Sequence, residues 1–294
     1  MPRVTVVVPT FRRPALLANT MAALARVEPP EGDFEIVVVD DGSGAGYAEA
    51  NAGAVAEVPR ARLLARENAG PAAARNVGYR AGSGELIAFL DDDCAPRPTW
   101  LRALVAPFDE EDASLGAVGG RVVSAPATNW VMRFLAATDY STGLQPVFEN
   151  AATANACYLR KVLDELGGFD EGFRYPGGDD PDLSVRARHA GYRLEFVPDA
   201  IVEHHELSTY GDFVSHMYKR GVGEARLAAK QGREGRVLAR AALLPVFLVR
   251  TGLGTWQRTD GKGAGLATRV GWTALESWGR VAFVAGSVRG LIRS

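Results

Sequence analysis

Four groups of side chains carry most of the chemical potential of this sequence. Three are acidic, Asp40-Asp41, Asp91-Asp92-Asp93 and Asp179-Asp180, and the fourth is His204-His205, two of only four histidines. Adjacent carboxylates repel one another unless a cation or a set of donors compensates them. Asp91 and Asp93 are two residues apart, so an extended backbone would turn both to one face. Oxygen ligands converging in that way suit Mg2+ or Mn2+, and such an ion suits a diphosphate. The competing reading is that acids cap helices and fill loops. A pair of histidines is likewise more often a surface feature than a ligand. Beside the aspartate triplet, that preference reverses toward a ligand.

The elements that must position these groups are legible as alternating runs. Val4–Val8, Glu35–Val39 and Leu86–Leu90 are apolar and rich in β-branched residues, and they end at Pro9, Asp40 and Asp91. Residues 14–26 place Leu16, Leu17, Met21 and Leu24 at helical spacing behind a first-turn Pro14. Residues 45–57 and 71–81 also read as helices, with a short strand at 62–65 between them. Short buried strands separated by helices predict βαβ units, a parallel sheet and an α/β fold. Ligands of such a sheet gather outside the carboxyl ends of its strands, where two of the acidic groups fall.

Farther along, strands are expected at 117–124, 150–159, 194–197 and 200–203, and helices at 130–137, 160–166, 179–190 and 211–230. Asp179 and Asp180 open one of these helices, where the macrodipole alone favours an acid; Asp182 is given only that role. The glycines and proline of residues 174–178 suggest a mobile acceptor loop. Trp100, Trp130 and Phe134 read as packing residues before an acceptor platform, and Cys94 and Cys157 as small buried hydrophobes.

Several classes are excluded. With 47% hydrophobic and 23% charged residues, the 294-residue chain is neither disordered nor fibrous. Gly42-Ser43-Gly44-Ala45-Gly46 has the wrong spacing for a dinucleotide fingerprint, and the preceding aspartates would repel a pyrophosphate. Two cysteines are too few for a disulfide scaffold, and the N-terminus runs directly into a strand, so a cytoplasmic setting is expected. No nucleic-acid partner is expected. The net charge of −2 hides an asymmetry. Residues 230–294 hold eleven Lys/Arg and three acids, a surplus of eight positive charges. Residues 1–229 hold the remaining 22 basic and 32 acidic residues. The expected organisation is a catalytic domain over 1–230 and a basic, apolar-rich helical tail over 231–294. Within that tail, helices at 236–251 and 266–291 flank a glycine-rich linker at 259–265. Arginines interrupt both helices, so they are expected to lie on the inner face of an anionic membrane rather than cross it, with Trp256, Trp272 and Trp278 at headgroup level. Packing of the tail on the acidic catalytic domain is the equal alternative.

Five stretches resemble the family 2 glycosyltransferases, and they occur in that family's order. They are VTVVVPTFRRP (4–14), EIVVVDDGS (35–43), ENAGPAAARNVGYRAGSGELIAFLDDDC (67–94), TANACYLRKVLDELGGFDEGF (153–173) and GGDDPDLSVRARHAGYRLEFVPDAIVEHH (177–205). The resemblance implies a GT-A fold, a Rossmann-like sheet flanked by helices, here with a C-terminal helical extension. It implies inverting transfer of a sugar from a nucleotide-diphosphate donor, with a UDP-sugar first in line, to an acceptor hydroxyl. By the same resemblance Pro9, Thr10 and Arg13 border the base, Asp41 bonds it, and Arg75 lies near the nucleotide. Asp91-Asp92-Asp93 matches the D-x-D motif, with Asp91 and Asp92 toward the donor and Asp91 and Asp93 toward the Mn2+ or Mg2+. His204 completes the metal shell, Asp180 inherits the general-base role, and Asp179 stands where the family usually has Glu. A sugar nucleotidyltransferase would need a basic glycine-rich phosphate loop near residue 10, which the sequence lacks. A degenerate nucleotide-sugar-binding module is disfavoured by the intact motifs.

Overall fold

Strand β1 (Val4–Thr10) is buried along its whole length. Val4, Val6 and Val8 join a core with Leu17 and Met21 of helix α1 (Pro14–Leu24). On the other face Val7 meets helix α3 (Pro71–Ala81) at Gly78, where an added Cβ would lie 2.3 Å from Val7 Cγ1. A strand covered on both faces needs apolar side chains on both, which is why these runs do not alternate. The computed structural model describes residues 2–110, 112–138, 151–205, 209–260 and 264–293. Asn150, the expected start of one strand, and residues 261–263 of the expected linker lie outside them.

The remaining strands are β2 (Phe34–Asp40), β3 (Ala61–Ala65), β4 (Leu86–Leu90), β5 (Cys94–Pro96), β6 (Leu115–Ser124), β7 (Asn155–Leu159) and β8 (Arg193–His204). They form one sheet in the order β3-β2-β1-β4-β7-β6-β8-β5. The first four are mutually parallel, linked through α1, α2 (Ala45–Ala56) and α3. β7 runs antiparallel to β4 and β6, whereas β8 is parallel to β6. Thr10, Asp40, Leu90, Ser124 and His204 therefore all end strands of one direction, at one edge of the sheet.

Two elements are added here and one expectation changes. β5 and the short helix α4 (Trp100–Val105) follow the aspartates, where prolines 96 and 98 obscured any period. The two strands expected around Pro198 are a single β8, interrupted by a register shift that pairs Gly120 with Val197 but Arg121 with Ile201. Proline has no N–H to give the ladder, so the chain bulges there. The side chain of Asn155 repairs the gap. Its amide donates to the carbonyls of Arg121 (3.0 Å) and Ala200 (2.8 Å), and its Oδ1 accepts from Trp100 Nε1 at 2.7 Å. Gly120 leaves the space this requires, because a Cβ there would sit 2.4 Å from both Ala200 O and Asn155 Nδ2. Trp100 is thus a buried anchor of the sheet.

The described residues divide into two compact units. One takes in 2–125, 151–174 and 180–205 and carries the whole sheet; the other takes in 126–138, 175–179 and 209–293. The second unit is helical: α5 (Trp130–Ala137), α8 (Tyr210–Lys230), α9 (Glu234–Ala242), α10 (Leu244–Arg258) and α11 (Leu266–Arg293). Its core joins Phe134, Phe213, Met217, Trp272, Leu275 and Phe283. α8 and α11 meet almost backbone to backbone. A Cβ on Gly221 would lie 2.0 Å from Phe283 O, and one on Gly286 2.0 Å from Tyr218 O. Because α8 packs along α11, the boundary expected at residue 230 falls inside this unit. The helix expected over 236–251 is two helices, α9 and α10, bent by 79°. Trp272, expected at a membrane interface, is buried against Trp130 and Phe134 instead.

Candidate active site

The acidic triplet does not continue β4. The strand ends at Leu90, and Cys94 N donates to Asp91 O (3.1 Å) across a turn, so the three carboxylates go to three different places. Asp91 is half-buried and accepts from Arg75 Nη2 at 2.7 Å. Asp93 accepts from Arg13 Nη1 at 2.7 Å through Oδ2, while its Oδ1 lies 3.6 Å from His204 Nε2. Asp92 points inward. It is fully buried, accepts from Thr10 Oγ1 at 2.6 Å, and pairs with Arg13 Nη2 at 2.5 Å. Thr20 Oγ1 donates to its carbonyl at 2.8 Å.

These contacts correct two expectations. Asp92 does not face a nucleotide: burial pushes its carboxyl up to about 7, against the opposing pull of Arg13, and it serves to tie β1 and α1 to the turn. Pro9 and Thr10 are likewise buried in β1, so neither side chain presents a surface to a base. Arg13 is half-exposed, and its guanidinium is committed to the acidic turn. Burial works against its charge, but Asp92, Asp93 and Asp91 together hold its pKa above the ordinary value.

Asp41 follows β2 and is buried, which raises its pKa in opposition to the N–H groups it gathers. Those donors are Ala69 N (3.1 Å), Gly70 N (2.8 Å) and Asn68 Nδ2 (2.9 Å), with Arg66 Nε at 3.3 Å. Four donors occupy the acceptor capacity of one carboxylate. Asp41 therefore shapes the 66–70 loop rather than offering an open carboxylate to a base. Gly70 allows the loop's close approach, since its φ is +98° and a Cβ would lie 2.8 Å from Arg174 O. A cleft of about 460 Å³ opens beside this loop, lined by Ser43, Gly44, Arg66 and Asn68 among others.

After the short helix α6 (Arg160–Leu166), Asp179 and Asp180 open α7 (Asp179–His189), Asp179 buried and Asp180 half-buried. Two anchors fix the helix behind Asp180. Ser184 Oγ lies 3.2 Å from Tyr158 Oη and accepts from Ala151 N at 3.1 Å. Arg186 bonds Asp182 (2.8 Å) and the carbonyls of Leu166 and Gly168. Asp182 thus keeps the local role expected of it. The 174–178 loop is seated rather than loose: a Cβ on Gly223 of α8 would lie 2.5 Å from Gly177 O.

One group of side chains at this edge could hold a metal ion. Asp93, Cys94 and His204 each offer one ligand atom, all within 4.8 Å of one another. Cys94 and His204 are cross-strand partners of β5 and β8, and His205 N donates to Asp93 O at 2.8 Å. That backbone bond distinguishes the two histidines, since it is His204 whose ring faces Asp93. A carboxylate and an imidazole can hold a divalent ion, whereas Mg2+ prefers oxygen alone. Asp91 is not part of this group, because the turn ends the extended geometry that would have set it beside Asp93. Cys94, read from the sequence as a small buried hydrophobe, is fully buried in the core, and its sulfur also falls within this group. Its position immediately after the triplet was the available signal. Burial and the neighbouring aspartates push its thiol well above the usual range.

Comparison with known proteins identifies the family and the fold. The model of the family described as "Glycosyl transferase family 2" matches residues 5–167. The pre-mycofactocin glycosyltransferase of Mycobacterium tuberculosis (strain CDC 1551 / Oshkosh) is 31% identical over 263 residues, covering 85% of this chain and 53% of that protein. Glycosyltransferase AglE of Haloferax volcanii is 28% identical, covering 77% of this chain and 74% of that one. The chain thus spans about half the length of the first of these relatives. Among solved structures, the mannosyltransferase PcManGT of Pyrobaculum calidifontis superposes with a TM-score of 0.63 at 22% identity, over 100% of this chain and 88% of that one. The fold is therefore the GT-A fold expected from the sequence. The chain belongs to glycosyl transferase family 2.

Proposed function

We propose that this protein transfers a sugar, with inversion, from a nucleotide-diphosphate donor to an acceptor hydroxyl. The observation that carries this reading is the meeting of Asp93, Cys94 and His204 at the carboxyl edge of the sheet, in a chain of this family. The PcManGT structure is described as a complex with GDP-Man and Mn2+, and the similar GalNAc-T7 structure as one with UDP, GalNAc and Mn2+. Those descriptions support a nucleotide-sugar donor and a divalent ion here, with UDP-sugars the first donors to test and GDP-mannose the next.

In this mechanism Asp93 and His204 would hold the ion, with Cys94 beside them. A bound divalent ion offsets negative charge on the departing diphosphate. Arg13 fixes the Asp93 carboxylate by bonding its Oδ2, which leaves Oδ1 on the His204 side. Arg75, ordered by Asp91, adds positive charge near the donor. Asp180 takes the proton from the acceptor oxygen as that oxygen attacks the anomeric carbon. One displacement on one face inverts the configuration.

A panel of UDP- and GDP-sugars, incubated with Mn2+ and followed by mass spectrometry, tests the proposal. Release of nucleoside diphosphate is expected with at least one donor. Asp180→Asn, nearly isosteric but unable to accept a proton, should reduce that release about 10²–10⁴-fold while donor binding persists. Release unchanged in Asp180→Asn would remove the aspartate from the base role.

A further inference from the structure

The second unit exposes large apolar side chains on consecutive helices. Leu238 on α9 is 57% exposed, and Val246, Val249 and Leu253 on α10 are 63%, 67% and 61% exposed. Val246, Val249 and Leu253 follow i, i+3, i+7 spacing, so they form one stripe along the outer side of α10. Leu243, at the bend between the helices, is also exposed. Water solvates such a stripe poorly, and a contiguous apolar patch of this kind marks a contact surface.

Charge and geometry identify its occupant. Arg236 and Arg250 are exposed on the same two helices, within a segment that carries a surplus of eight positive charges. Two of its three acids are engaged, Glu276 with Arg258 and Arg280 and Asp260 with Arg269; the third, Glu234, opens α9 and is exposed. A second copy of this face would set arginine against arginine. An anionic bilayer instead meets the arginines with phosphate and the stripe with acyl chains. No single helix among the described residues is long and apolar enough to cross a membrane. At 1.5 Å per residue the fifteen residues of α10 reach only about 22 Å, against a hydrocarbon core of about 30 Å. α9 and α10 together have the length and apolar composition of a span, but the 79° bend between them makes two short helices in place of one continuous rod. We infer that α9 and α10 form a monotopic binding surface for an anionic lipid bilayer.

Flotation of the full chain tests this, using phosphatidylcholine vesicles with and without 30% phosphatidylglycerol. The wild type should float with the anionic vesicles, lose most binding in high salt, and bind neutral vesicles weakly. Val249→Glu/Leu253→Glu, on exposed positions, should reduce the floating fraction at least tenfold with an unchanged melting temperature. If that pair fails to fold, Val249→Ser/Leu253→Ser serves the same purpose. Absence of flotation, equal binding to neutral vesicles, or binding indifferent to both pairs overturns the inference. So does a wild-type dimer in light scattering that the substitutions split, which would assign the face to a second copy.

Discussion

Asp93 Oδ1 lies 3.6 Å from His204 Nε2, although Asp93 belongs to the turn before β5 and His204 ends β8. The contact exists because β5 pairs antiparallel with the last residues of β8, and because β8 bulges at Pro198 before reaching that edge. A separation of this size is longer than a hydrogen bond, and Cys94 Sγ lies 3.8 Å from the same Asp93 oxygen. Asp93→Ala and His204→Ala should each weaken Mn2+ binding at least tenfold in calorimetric titration, with melting temperatures close to wild type. Asp92→Ala should show the reverse pattern. It strands Thr10 and Arg13 inside the turn, at a cost of about 1.5–3 kcal/mol in chemical denaturation, and spares the ligands themselves. Equal loss of Mn2+ affinity in all three variants would refute the division of labour between Asp92 and Asp93.

Asn155 holds the bulge that delivers His204. Removing its side chain strips two buried carbonyls and the Trp100 N–H of their partners. Asn155→Ala should therefore cost about 2–4 kcal/mol, since each unsatisfied buried group costs about 1–3 kcal/mol and water recovers part of the loss. A urea midpoint indistinguishable from wild type would show that the bulge holds itself.

Two glycines make opposite predictions. Gly221 on α8 faces the α11 backbone with no room for a methyl group, so Gly221→Ala should destabilise by about 1–3 kcal/mol or more. Gly53 in α2 has nothing within 4 Å of a built Cβ, so Gly53→Ala should stabilise by about 0.5–1 kcal/mol. Thermal melts of the two variants give the sign directly.

Both cysteines are fully buried, and burial raises each thiol well above its ordinary pKa. A thiol that is both inaccessible and protonated does not react. Ellman's reagent at pH 8 should find no reactive thiol in the native protein and two after denaturation. Rapid labelling of Cys94 in the native state would mean that the site opens.

The first half of the sheet was legible because it is the simplest part physically. Val4–Val8, Glu35–Val39 and Leu86–Leu90 are buried on both faces, so composition alone marks them. The candidate site was legible as residue types and not as geometry. Asp93 and His204 lie side by side, yet the turn at Asp91–Asp93 and the inward rotation of Asp92 depend on Thr10, Thr20 and Arg13, far away in sequence. Asp41 shows the same limit. Its four donors come from a loop more than twenty residues later, and no local pattern announces them. The bend at Leu243 was missed because α9 and α10 are both apolar and helical, and periodicity does not record direction. Trp272 was misplaced for a related reason: an aromatic residue on an arginine-rich helix reads alike whether it meets a lipid headgroup or Phe134.

We propose a single, inverting displacement, with Asp93 and His204 at the carboxyl edge of the sheet and Asp180 as the base. Time-resolved proton NMR of donor hydrolysis in Mn2+ tests it most directly, because water then stands in for the acceptor and the first sugar released records the stereochemistry. With an α-linked donor, the account predicts the β anomer first, followed by slow mutarotation. Initial release of the α anomer would contradict it.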